Sequence, residues 1–234
     1  MDLLPGWVRN ALPADESAFG TGFAQSFLLI LACELGDRTF FVAAILAMRS
    51  SRLVVWAGAL AALAAMTVLS AAIGKAFPLV LDKRWTGLAA ALLFAYFGVQ
   101  LLRDWWRLRG ERPEENEELA EVEEELNHDH PAKKTHVARH AALALFSPIF
   151  VKAFTMTGLA EWGDRSQIAT IALAASRNLY GVILGGVLGH AICTGLAVVG
   201  GRLLATKISE KAVALVGGIL FIIFAIITAS GELD

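Results

Sequence analysis

Apolar residues run along this chain in blocks long enough to cross a bilayer. Six stand out, at about 22–48, 53–77, 85–106, 142–175, 179–205 and 212–230. A helix needs about 20 apolar residues to span the hydrocarbon core, so each block predicts a transmembrane helix. The first and fourth exceed that length and are expected to tilt or break. Trp56, Trp85, Trp105 and Trp106 fall near predicted span ends, as an interfacial aromatic belt requires. Trp162 lies inside a span instead.

Two of the blocks are interrupted by the same hexapeptide pattern. Glu34-Leu35-Gly36-Asp37-Arg38-Thr39 and Glu161-Trp162-Gly163-Asp164-Arg165-Ser166 both read acid, apolar, Gly, Asp, Arg, hydroxyl. Charges at such depth cost roughly 2.5–3.5 kcal/mol each on insertion scales. Six ionisable groups in two matched places therefore point to a site for something positively charged.

The match extends beyond the hexapeptides. The constant offset that carries Glu34 onto Glu161 also carries Gly58 onto Gly185, Thr67 onto Thr194, and Gly74-Lys75 onto Gly201-Arg202. It further carries Leu88, Phe94 and Phe97 onto Leu215, Phe221 and Phe224. Internal repeats of this kind mark many transporter folds. Three spans per repeat is an odd number, so the second repeat must enter the membrane from the opposite side. Positive residues test this independently. Twelve fall on one side, in the 49–52 turn, the central linker and the 202–211 turn, against five on the other, Arg9, Lys75, Lys83, Arg84 and Arg177. That bias puts the linker in the cytoplasm and both termini outside.

The expected fold is therefore all-α and integral to the membrane. Six transmembrane helices form two inverted three-helix repeats joined by an acidic cytoplasmic linker. Residues 1–21 form an extracytoplasmic N-terminal segment, 22–106 the first repeat, 107–140 the linker and 141–234 the second repeat. Within the linker, ten acids and one base lie between Glu111 and His130, followed closely by His136 and His140. Such a block reads as a solvated connector, and it has the chemistry to hold a divalent cation weakly. Composition agrees with a membrane protein: 56% of residues are hydrophobic and mean hydropathy is +0.59. The net charge of −2 offers nothing to nucleic acid. The first residues lack the basic opening of a signal peptide, so the first span is expected to be retained. Cys33 and Cys193 lie within spans and read as small buried residues rather than a disulfide or ligands.

On a helix, Glu34 and Asp37 share a face, as do Glu161 and Asp164. Inverted repeats can bring the two faces together near the midplane. Four carboxylates then converge, with the Thr39 and Ser166 hydroxyls nearby and Gln167 as a further ligand. Oxygen-only ligation suits Ca²⁺, Mg²⁺ and Mn²⁺. Arg38 and Arg165 are assigned a supporting electrostatic role, because guanidinium cannot bind a cation. Gly36 and Gly163 either break the helix to expose carbonyl oxygens or allow close helix packing. Metal and protons compete for the same carboxylate oxygens, which is enough for an exchange mechanism. His190 is read as a proton relay or, more simply, as a hydrogen-bonded packing residue.

These doubled motifs, one in each three-helix half around an acidic loop, resemble the Gdt family of Ca²⁺/Mn²⁺:H⁺ antiporters, which includes Golgi-type transporters and bacterial manganese exporters. The resemblance covers essentially the whole chain. It implies that Glu34, Asp37, Glu161 and Asp164 form the cation site. It also implies export of Mn²⁺, or alternatively Ca²⁺, from the cytosol against H⁺, with no permanently bound cofactor. A bacterial inner-membrane location fits the short N-terminus. The expected partners are the divalent cation, the lipid bilayer and, as an open option, a second copy of the chain. More distant readings are a basic amino acid exporter and a non-transporting scaffold. An intramembrane enzyme lacks support, since no His-Glu-x-x-His or Gly-x-Ser-x-Gly pattern occurs.

Overall fold

The computed structural model describes residues 14–79, 82–108, 122, 124, 147–205 and 209–231. The start of the chain and most of the linker, with its four histidines, lie outside the described residues. Among the described residues, eight α-helices and one 3₁₀ turn account for nearly everything. In chain order they are α1 (Ala14–Glu34), α2 (Arg38–Arg49), α3 (Arg52–Ala76), α4 (Lys83–Leu108), α5 (Pro148–Ala160), α6 (Arg165–Ser176), α7 (Leu179–Ala205) and α8 (Glu210–Gly231), with the 3₁₀ turn at Phe77–Leu79. Four described segments are long and apolar enough to cross a membrane: Arg52–Ala76, Arg84–Leu108, Leu179–Gly201 and Lys211–Ser230.

The first and fourth apolar blocks do break. The first divides into α1 and α2, the fourth into α5 and α6, each within the hexapeptide. The offset read from the sequence carries both ends of α2 onto those of α6, Arg38 onto Arg165 and Arg49 onto Ser176. A further irregularity lies in α7, where Gly201 leaves helical geometry at φ 50° and kinks the helix.

Helices α1 and α7 pack closely through Gly185, where a Cβ would run into the Phe23 carbonyl. Helices α3 and α5 pack through Gly58, where a Cβ would lie 2.7 Å from the Phe150 carbonyl oxygen. Small residues at membrane helix crossings let backbones approach in this way. Helix α3 also packs on α6 and α7, α7 on α2, and α4 on α8. Thus the largest contacts of nearly every helix lie in the other half of the chain. Phe94, Phe97, Phe221 and Phe224 interlock α4 and α8 through edge-on and tilted ring contacts.

Helix α2 is buried on every side, from Thr39 to Ala47. Its cluster includes Val55, Ala153, Ala197 and Val198, and also Val122, which is 1% exposed. A linker read as wholly solvated therefore contributes at least one residue to the core. Many large apolar side chains face outward, among them Leu53, Leu92, Leu159, Val199 and Ile226. In water such a surface would be an aggregation liability, whereas lipid tails cover it. Trp85 and Trp106 are exposed as a belt requires. Trp56 instead donates its indole N–H to the Ala191 carbonyl at 3.1 Å, tying α3 to α7.

Candidate cation site between two broken helices

Both breaks are built alike. Gly36 has φ 81° and Gly163 has φ 80°, the left-handed region that a side chain disfavours. Around each glycine one turn closes, with Asp37 N–H donating to the Glu34 carbonyl at 3.3 Å and Asp164 N–H donating to the Glu161 carbonyl at 3.2 Å. Each Asp then takes extended backbone and starts the next helix. Gly163 has nothing within 4 Å of a Cβ position, so it serves the turn and not close helix packing.

The glutamates occupy the C-terminal ends of α1 and α5, where backbone carbonyls lack helical partners and the dipole favours a cation. Both are buried, at 2% and 3% exposure. Thr39 donates its hydroxyl to Glu34 Oε2 and Ser166 donates to Glu161 Oε2, each at 3.3 Å. Ser166 also neighbours Glu34, and Thr39 neighbours Glu161, so the two hexapeptides interdigitate. The other oxygen of each glutamate, Oε1, has no hydrogen-bond partner among the described residues.

Ligand atoms of Glu34, Glu161 and Asp164 lie within 4.8 Å of one another, a spacing that one metal ion can bridge. Asp37 is outside that tight group, although it lies within electrostatic reach of Asp164 and Arg165. The two aspartates differ in another respect. Asp164 accepts the Ser166 N–H at 3.1 Å, while Asp37 makes no cap bond. Gln167 accepts the Gly163 N–H on Oε1 at 2.6 Å, so its carbonyl oxygen braces the break. Arg165 is half-buried, and Arg38 is exposed.

A narrow cleft is lined by Glu161, Ser166 and Gln167 together with Thr67, Ser70 and Thr170. It runs toward the bundle end where α3 and α6 finish. The repeat counterparts toward the linker end are apolar: Phe40 for Gln167, Ala43 for Thr170 and Ala197 for Ser70. All three belong to the buried cluster around α2. One side of the site is thus lined by polar side chains, and the other by apolar ones.

His190, from the middle of α7, lines the same cleft. Its Nδ1 stands 3.9 Å from Glu34 Oε2 and has no hydrogen-bond partner among the described residues. The sequence offers no measure of that proximity, because a lone histidine in the other half of the chain from Glu34 carries no spacing signal.

Carboxylates gathered inside an apolar helical bundle define a membrane protein that handles cations. The family profile described as "Divalent cation/proton antiporter GDT1" matches residues 22–108 and 149–234. This chain belongs to the GDT1 family, whose members are transporters rather than enzymes. It is similar to GDT1-like protein 5 of Arabidopsis thaliana, 47% identical over 219 residues, covering 88% of this chain and 93% of the relative. GDT1-like protein 3 of the same plant is 47% identical over 206 residues, covering 86% and 68%. A GDT1-like protein of Schizosaccharomyces pombe is 40% identical over 228 residues, covering 86% and 79%. No solved structure matches the chain.

Proposed function

We propose that this antiporter exports Mn²⁺ from the cytosol in exchange for H⁺, by alternating access to one site formed by Glu34, Asp37, Glu161 and Asp164. The observation that carries the reading is the convergence of Glu34, Glu161 and Asp164 from two matched helix breaks. The unpartnered glutamate oxygens at that point add to it. Buried carboxylates at this depth need their charge balanced. A divalent cation balances it in one state and protons in the other, so the two ions replace each other on the same oxygens. Thr39 and Ser166 supply neutral oxygens beside the glutamates, and Arg38 and Arg165 act electrostatically without binding the ion.

In this reading the six spans form two inverted three-helix repeats, with the linker in the cytoplasm and both termini outside, in the cell's inner membrane. The polar cleft then faces outward, and the Phe40–Ala43–Ala197 side closes the cytoplasmic path. Rocking one repeat against the other would exchange the two. Ca²⁺ is the second reading, favoured by the oxygen-rich donor set.

The test is metal accumulation in cells challenged with excess Mn²⁺, comparing wild type with Asp37→Asn and Asp164→Asn at matched membrane levels. Wild type should lower cellular Mn and both variants should fail to do so. An unchanged Mn content with wild type would refute the manganese assignment and move the same assay to Ca²⁺.

A further inference from the structure

We infer that His190 is a ligand of the transported cation through Nδ1, and that this nitrogen biases the site toward a transition-metal ion over Ca²⁺ and Mg²⁺. The inference rests on the carboxylate site proposed above and adds to it a donor of another chemical kind.

Three buried polar atoms around the site lack hydrogen-bond partners among the described residues: Glu34 Oε1, Glu161 Oε1 and His190 Nδ1. His190 stands at the edge of the site, outside the tight Glu34–Glu161–Asp164 group and next to Glu34. Glu34, Glu161 and His190 are each no more than 3% exposed. Orphaned buried polar atoms are rare and costly, and an ion that satisfies several at once accounts for them together. The separation of 3.9 Å between His190 Nδ1 and Glu34 Oε2 is too long for a hydrogen bond. Two ligand atoms at about 2.0–2.2 Å from one metal, the usual range for first-row ions, stand roughly 3–4 Å apart at intermediate angles. The gap therefore suits an ion between them.

The nitrogen also makes the site unequal. The repeat counterpart of His190 is Leu63, which lines the same cleft and has no donor. Imidazole suits first-row transition metals, while Ca²⁺ and Mg²⁺ are bound by oxygen. A carboxylate-rich site with one imidazole keeps the charge needed for any divalent ion and ranks Mn²⁺ above the alkaline earths.

Two measurements test this. The first reads ¹⁵N coupling to bound Mn²⁺ by pulsed electron paramagnetic resonance, on full-length protein labelled with ¹⁵N-histidine. The four linker histidines, His128, His130, His136 and His140, are replaced by Gln, leaving His190 as the sole histidine. Directly bonded ¹⁵N is expected, and its absence with Mn²⁺ bound overturns the inference without any change at residue 190. The second measures Mn²⁺ and Ca²⁺ uptake into proteoliposomes by wild type and His190→Gln. The Mn²⁺-to-Ca²⁺ ratio should fall on the order of tenfold, since loss of even an outer-shell partner costs roughly 10–100-fold in metal affinity. A ratio that stays constant, whether both rates hold or both fall, assigns His190 to packing or proton relay and overturns the inference. Failure of wild type to move either ion would sink the transport reading instead, while the ¹⁵N coupling would still report on ligation.

Discussion

Replacing Gly163 by Ala adds one methyl group at a place where nothing stands within 4 Å of it. Packing therefore cannot explain any loss. The backbone can, because φ there is 80°. An L side chain in the left-handed region costs about 1–2 kcal/mol, which is a factor of roughly 5–30 in a two-state equilibrium. The strain is relieved when the turn between α5 and α6 unwinds or α5 extends, and either change carries Glu161 away from Glu34 and Asp164. Gly163→Ala should therefore lower Mn²⁺ affinity and transport by about that factor, with membrane insertion retained. Asn tolerates the left-handed region better than Ala, so Gly163→Asn should recover part of the loss. Gly20→Ala is the control, since Gly20 sits inside α1 with nothing within 4 Å of its Cβ position. It should be neutral or slightly stabilising, as Ala is the better helix former. Metal titration and transport at matched protein levels would read all three. An Ala variant as active as wild type, or less harmful than the Asn variant, would show that the left-handed turn is not what the site needs.

Further outcomes follow from the same geometry. Glu34→Gln and Glu161→Gln should each abolish Mn²⁺ transport in vesicles while the protein still inserts. Residual transport above about a tenth of wild type, a barrier change of less than roughly 1.4 kcal/mol, would count against a shared site. Gly185→Ala should destabilise the bundle by about 1–3 kcal/mol through overpacking against the Phe23 carbonyl, read as a lower melting temperature in detergent, with no change in metal selectivity among molecules that remain folded.

Much of this architecture was legible because bilayer thickness forces apolar blocks to a countable length. The excess length of the first and fourth blocks already called for a tilt or a break, and the matched ends of α2 and α6 keep the offset that the hexapeptides share. What periodicity does not encode is which of two uses a glycine serves. Gly163 became a turn glycine only through its φ, and Gly185 a packing glycine only through Phe23. The site was legible as a set of residues and less so as a shape. Matching motifs predict matching aspartates, yet Asp37 stands outside the tight group that Asp164 joins. The nearness of His190 to Glu34 and the burial of Val122 were beyond reach for one reason: each depends on chain segments distant in sequence. The kink at Gly201 depends likewise on local backbone geometry that a neighbouring pair of glycines permits without requiring.

The exchange of partners between halves bears on how the protein is made. Helices α2, α5 and α6 have 12, 13 and 12 residues. At about 1.5 Å per residue these reach about 18–20 Å, short of the roughly 30 Å hydrocarbon core. None can rest in a bilayer alone with its ends satisfied, and α1 finds its main neighbour only in α7. The Glu34 turn therefore gains its main packing partner only once α7, in the second half of the chain, is present. Two separately expressed halves should each be short-lived, and their joint expression should rescue both. Any ancestor with a single three-helix unit would have had to assemble as a pair before it could hold an ion.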